Sequence, residues 1–208
     1  MHERRVMQSI RTKVSDPTAI GLFGLAIVTL VASSQKLGLT SGTSLIVPWA
    51  IFLGALAQLY ASFSDSKLGN SFGATAFGAY GFFWLAVAMS WMIQTGMFGE
   101  AMKAAADGNQ LGIAFVGYLI FTLYMTYGAA SVHKVLFFIF VLIDLLFIGL
   151  ALNTLAGSEF GRYLAGFSEL GISLLAFYGS AAAIYRAHFG KTVLPVGKPI
   201  LNREKRSE

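Results

Sequence analysis

The chain has 208 residues, of which 56% are hydrophobic and only 12% charged, against roughly 25% charged in soluble domains. It contains no cysteine, which excludes disulfides, thiolate metal clusters and thiol catalysis. The net charge of +5 is carried mostly at the two ends, so it does not describe a nucleic-acid surface.

Charges divide the chain. None falls in 17–35, 37–64, 68–99 or 108–132, while 135–158 holds only Asp144 and 163–185 only Glu169. A span takes about 20 apolar residues. The pattern predicts an all-α membrane protein with six transmembrane helices, at 18–36, 43–64, 71–95, 110–131, 134–155 and 161–187. Residues 16–187 then form one transmembrane domain between polar tails at 1–15 and 188–208.

The first segment follows Asp16 and Pro17 in "SDPTAIGLFG", a capping side chain and a favoured first-turn residue. Its basic start is that of a signal peptide, but it is long enough to span and five spans follow, so retention is expected. In the second, Gln58 is a polar amide within apolar "LGALAQLYA". Such a group faces other helices or water.

The third segment opens as "KLGNSFGATAFGAYGFFWL", residues 67–85. Each glycine costs a helix about 1 kcal/mol relative to alanine. Asn70, Phe77, Gly81 and Trp84 fall on one helical stripe with Tyr80 at its edge, and Gly69 and Gly73 form a small-residue pair suited to close helix contact. Packing accounts for the glycines. Asn70 and Tyr80 are equally placed to line a polar path.

The fourth segment carries no charge. At the start of the fifth, His133 and Lys134 read as a solvated turn, and Asp144 lies in its middle. The sixth carries Glu169 about two turns in, near the interface. Gly157 and Gly161 offer a second small-residue pair. His2, His133 and His188 are too dispersed for a metal site, and no cofactor motif is present.

Six spans put both termini on one side. That side carries four Lys or Arg before the first span, Lys67, Lys134 and six from Arg186 onward, against Lys36, Lys103 and Arg162 opposite. The positive-inside rule places the termini in the cytoplasm of a multi-pass protein of the cell membrane. No phosphate loop, nucleophile elbow or zinc-helix motif occurs, and the titratable groups form no acid–base set. An enzyme is not expected.

Together these segments resemble the acetate uptake transporter family, the succinate–acetate permeases. The resemblance runs from Asp16 to about Gly197 and rests on "GNSFGATAFGAYGFFWL", "DPTAIGL", "ALNTLAG", "AFY" at 176–178 and "FGKTVLPVG", five motifs in the family's order. It implies a six-helix protomer in a homohexamer, with a path for small carboxylate anions, acetate and in some members succinate, through each protomer. It also implies an apolar constriction whose positions here are Leu25, Tyr80 and Ile143, of which only the tyrosine keeps the family's residue. Asp16 and Ala19 also depart from that family's signature.

A small carboxylate needs sparse donors between apolar walls. Gln58, Asn70, Thr75 and Tyr80 are the expected pathway donors, and the constriction gates by excluding water. Asp144 is either a proton-binding group beside the path or an acid hydrogen-bonded to a neighbouring helix. The competing functions are an ammonium or other small-solute exporter, and a membrane sensor or scaffold that transports nothing.

Overall fold

A computed structural model describes residues 15–201. Inside a bilayer no water is available to satisfy backbone groups, so an apolar run must close its hydrogen bonds within itself. Six helices do so: α1 (Thr18–Lys36), α2 (Ile46–Lys67), α3 (Ser71–Gln94), α5 (Gly108–Ala129), α6 (Lys134–Ala156) and α7 (Glu159–Phe189). A short helix, α4 (Glu100–Ala104), lies in the loop after α3. The expected segments are all present. The second runs three residues later than the sequence indicates, and the last extends to 31 residues, about 46 Å. That exceeds the roughly 30 Å hydrocarbon core, so its ends stand in the interfaces. The four basic residues before the first span and His2 lie outside the described residues.

Polar side chains start the helices. Asp16 Oδ1 accepts from the Thr18 N–H at 2.9 Å, Asn70 Oδ1 from Gly73 N–H at 3.2 Å, and Asp107 Oδ1 from Asn109 N–H at 2.9 Å. His133 Nδ1 accepts from Leu136 N–H at 3.0 Å, and Ser158 Oγ from Gly161 N–H at 3.1 Å. Each takes up a donor that the first helical turn leaves unpaired.

α2 is not a uniform helix. Residues Ala50–Ala57 form a π segment, after which α geometry resumes at Gln58.

α1 packs on α7 and α2, α2 on α3, α7 on α6, and α6 on α5. Small residues set the tightest of these contacts. Gly149 of α6 faces the Gly161 carbonyl and the Ala165 backbone of α7, so that even a Cβ there would stand 2.7 Å from Gly161 O. The pairs expected from sequence, Gly69/Gly73 and Gly157/Gly161, do not form helix faces. Gly69 and Gly157 both have positive φ, 73° and 61°, and terminate α2 and α6. The sequence spacing ran across a turn, where helical phase no longer applies.

Between α3 and α5 the backbones stay apart and aromatic rings fill the gap. Phe83 meets Phe115, Tyr118 and Phe147 at centroid distances of 6.1, 4.9 and 5.2 Å, and Tyr80 meets Phe121 and Phe140 at 5.7 and 6.0 Å. Such pairs contribute about 0.5–1.5 kcal/mol each beyond simple burial. They close the six helices into a ring.

The segment after α7 returns across the face that carries both ends of the described chain. Val135 N–H donates to the Val196 carbonyl, the Ile200 and Leu201 N–H groups to Ala130 O, and the Tyr178 hydroxyl to Pro195 O. This strap holds the turn between α5 and α6.

Candidate functional site: two cavities and an aromatic plug

Two cavities enter the ring from opposite faces and share no lining residue. The first, about 380 Å³, opens on the terminal face among Thr18, Asp65, Asn70, Ser131 and His133, and ends at Leu25, Gln58, Tyr80 and Ile143. The second, about 350 Å³, opens on the opposite face among Lys36, Thr43, Gln94, Asn153 and Arg162, and ends at Phe83, Trp84, Phe115 and Leu150. Val28, Phe147 and Ile172 are fully buried and line neither cavity.

Leu25, Tyr80 and Ile143 come from α1, α3 and α6 and converge at the inner end of the first cavity, all nearly inaccessible. The Tyr80 hydroxyl lies 2.9 Å from Thr122 Oγ1, which itself donates to the Tyr118 carbonyl at 2.8 Å. Thr122 has one proton and spends it on that carbonyl, so Tyr80 is the donor to Thr122. The ring rather than the hydroxyl is therefore what Tyr80 presents to the cavity.

Gln58 also lines the first cavity. It follows the π segment directly, and its Nε2 donates to the Gly54 carbonyl at 2.7 Å. A carbonyl only accepts, so this bond fixes the amide's orientation and leaves Oε1 buried without a partner among the described residues. Asn70 lies at the mouth and precedes α3, so it is a cap rather than part of the helical stripe expected from sequence. Its Nδ2 donates to Asp65 Oδ1 at 3.0 Å. Thr75 is exposed and lines neither cavity. Five residues separate it from Tyr80, which puts it about 140° away around the helix, so the structure corrects its expected place among the donors.

Asp144 neighbours Ile143 but lines neither cavity. Its Oδ2 is 2.8 Å from Thr126 Oγ1, which is 2.9 Å from the Thr122 carbonyl. One hydroxyl proton cannot serve both acceptors, so when Thr126 keeps its backbone bond the carboxyl supplies the second proton. The contact joins α5 to α6 and favours the structural of the two readings of Asp144.

From sequence, Asp65 was passed over, and neither His133 nor Glu169 was placed in a cavity. Asp65 is buried beside Asn70, with its Oδ2 unpartnered among the described residues and packed where Gly73 has no Cβ. Its spacing from Gln58, two helical turns, was the available signal. His133, read as a solvated turn, is half-buried at the mouth, and burial pushes its pKa below the usual 6.5. In the second cavity Glu169 is deeply buried and both its oxygens lie 3.0 Å from Lys36 Nζ. Lone opposite charges at the same end of two apolar segments were the only hint.

The model of the GPR1/FUN34/yaaH family matches residues 3–198. The chain belongs to the GPR1/FUN34/yaaH family. Among relatives of this GPR1/FUN34/yaaH protein, the "Succinate-acetate/proton symporter SatP" of Escherichia coli K12 is 34% identical over 90% of this chain and 97% of its own. "Acetate permease A" of Emericella nidulans is 29% identical over 88% of this chain and 66% of its own. A solved structure described as that of the bacterial acetate channel SatP superposes with a TM-score of 0.82 at 31% identity, covering 89% of this chain and all of that one. The family assignment agrees with the resemblance read from the motifs, and the six-helix, multi-pass architecture agrees with it too.

Proposed function

We propose that the protein carries small carboxylates, acetate first and succinate second, across the cell membrane by a path through each protomer. The observation that carries this reading is the pairing of two cavities with polar mouths and an apolar plug inside one ring of helices, in a chain so similar to SatP. Polar mouths take up a hydrated anion, and a dry constriction admits only what can shed its water. In this reading Gln58 and Asn70 line the terminal-face half, and Leu25, Tyr80 and Ile143 are the constriction. Asp144 acts through the α5–α6 contact, and residues 16–187 are the transporting unit. It is not a catalyst.

The basic residues flanking the terminal face support placing both termini in the cytoplasm. The many exposed apolar side chains on α5, among them Ile113, Ile120 and Tyr127, suit either lipid or neighbouring protomers, and the family resemblance supports a homohexamer. The test is labelled acetate uptake into liposomes containing the purified protein. Uptake above protein-free vesicles, with competition by unlabelled succinate, is expected. Uptake equal to protein-free vesicles overturns the reading.

A further inference from the structure

We propose that Lys36 and Glu169 form a carboxylate-and-proton exchange site in the cavity opposite the termini. Glu169 occupies the place of the transported carboxylate until a proton releases it. The inference rests on the carboxylate-transport reading and names where the substrate's charge is received.

Both side chains line the 350 Å³ cavity. The ammonium of Lys36 contacts both oxygens of Glu169 at 3.0 Å, with relative exposures of 14% and 2%. An ammonium offers three donors, and this carboxylate takes two of them. The geometry is that of a bound carboxylate ligand, except that the carboxylate belongs to the protein.

The other cation of the cavity is already committed. Arg162 donates from Nη2 to Glu159 Oε2 at 2.7 Å and from Nη1 to the Lys36 carbonyl, and its guanidinium lies 4.2 Å from the Tyr163 ring centroid. This clasp ties the start of α7 to the end of α1 and positions Lys36. The remaining walls are neutral: α3 gives Trp91 and Gln94, α6 gives Asn153 and Thr154, and α5 gives apolar residues and Gly108. Among the described residues no other titratable side chain lines the cavity. Asp65 and His133 lie beyond the plug in the other cavity.

Electrostatics then sets the order of events. The resting pair is neutral. An anion reaching Lys36 while Glu169 is ionised places two carboxylates on one ammonium in a nearly dry wall, and pushing an ionised Glu169 aside strands a buried charge without its partner. A proton on Glu169 removes both penalties. The proton goes to the Glu169 carboxylate, the substrate carboxylate takes its place on Lys36, and the site remains neutral. When the substrate moves on into the plug, Glu169 hands its proton to the departing carboxylate, which leaves Lys36 as the neutral acid, and the ionised Glu169 recovers Lys36. One proton therefore crosses with each monocarboxylate.

The experiment uses the full chain in liposomes and reads labelled acetate uptake against concentration, pH and membrane potential. In the wild type, raising the pH is expected to raise KM, because ionised Glu169 competes for Lys36. Glu169→Gln should lower KM about tenfold at neutral pH, flatten its pH dependence and make uptake respond to voltage. Lys36→Gln should raise KM about tenfold or more at every pH. The double variant replaces the ion pair with two amides and strands no charge. It keeps the test decisive if either single variant fails to fold, and it should show weak saturation with no pH dependence. Wild-type KM and pH profile in Glu169→Gln, or a wild-type pH profile in the double variant, overturns the exchange site and leaves the transport reading standing. No acetate uptake by the wild type overturns that reading, and the exchange site with it.

Discussion

At the terminal face the cavity's polar groups are side chains that cap helices, Asn70 and His133, with Asp65 held by Asn70. At the opposite face they are charges in pairs, Lys36 with Glu169 and Arg162 with Glu159. Helix direction does not separate the two faces: α1, α3 and α6 begin at the first cavity and α5 and α7 at the second, so both mouths carry helix N-termini. The contrast lies in the side chains. Caps take up the first-turn N–H groups at the first cavity, whereas at the second the fixed cations Lys36 and Arg162 are each held by an acid.

The strongest way to break this comparison is to join the cavities. Tyr80→Ala removes the ring packed against Phe121 and Phe140 at the end of the first cavity. Truncating a buried aromatic costs about 3–5 kcal/mol, so thermal stability in detergent should fall markedly. Lactate uptake should rise relative to acetate. An unchanged lactate-to-acetate ratio in a folded variant places the constriction elsewhere.

Asp144 separates the cavity groups from the merely buried ones. In Asp144→Asn the amide donates to Thr126 while Thr126 keeps the Thr122 carbonyl, so stability should change by no more than about 1 kcal/mol. Acetate uptake should keep its wild-type pH profile, in contrast to Glu169→Gln. A flattened profile would return Asp144 to the role of proton site.

His133 sharpens the comparison at the mouth. His133→Ala deletes the α6 cap at a cost of about 1 kcal/mol, readable as a lower melting temperature. The cap requires neutral imidazole at Nδ1, and burial lowers the folded pKa below 6.5. Its contribution is therefore whole above the ordinary histidine range and is lost as pH falls through the lowered value. The gap between wild type and His133→Ala should close on acidification. A gap constant with pH contradicts the cap.

The six spans were legible because membrane insertion is decided by local composition, and the gaps between Lys36, Lys67, Lys103 and Lys134 mark it directly. Helix pairs were less so. The partner of Gly161 is Gly149 on another helix, and no periodicity within one segment reports that. The convergence of Leu25, Tyr80 and Ile143 came from family resemblance, since three residues on three helices share no local signal. Lys36 and Glu169 were both visible as isolated charges, yet each was explained by its own segment. Their pairing depends on α1 lying against α7, which only the fold supplies. Thr75 failed for a simpler reason: a polar residue near the right place in sequence was on the wrong side of its helix.

The π segment Ala50–Ala57 gives α2 a property the other spans need not have. A π turn holds one residue more than an α turn, so the angular setting of the helix before the segment does not carry through it unchanged. The residues that enter from the opposite face and those from Gln58 onward are thereby indexed separately. The π segment itself can hold Gly54 flush against Trp84, while the α part that follows aims Gln58 and Asp65 inward. In a straight rod these two demands would compete for a single rotation about its axis; here each is met on its own.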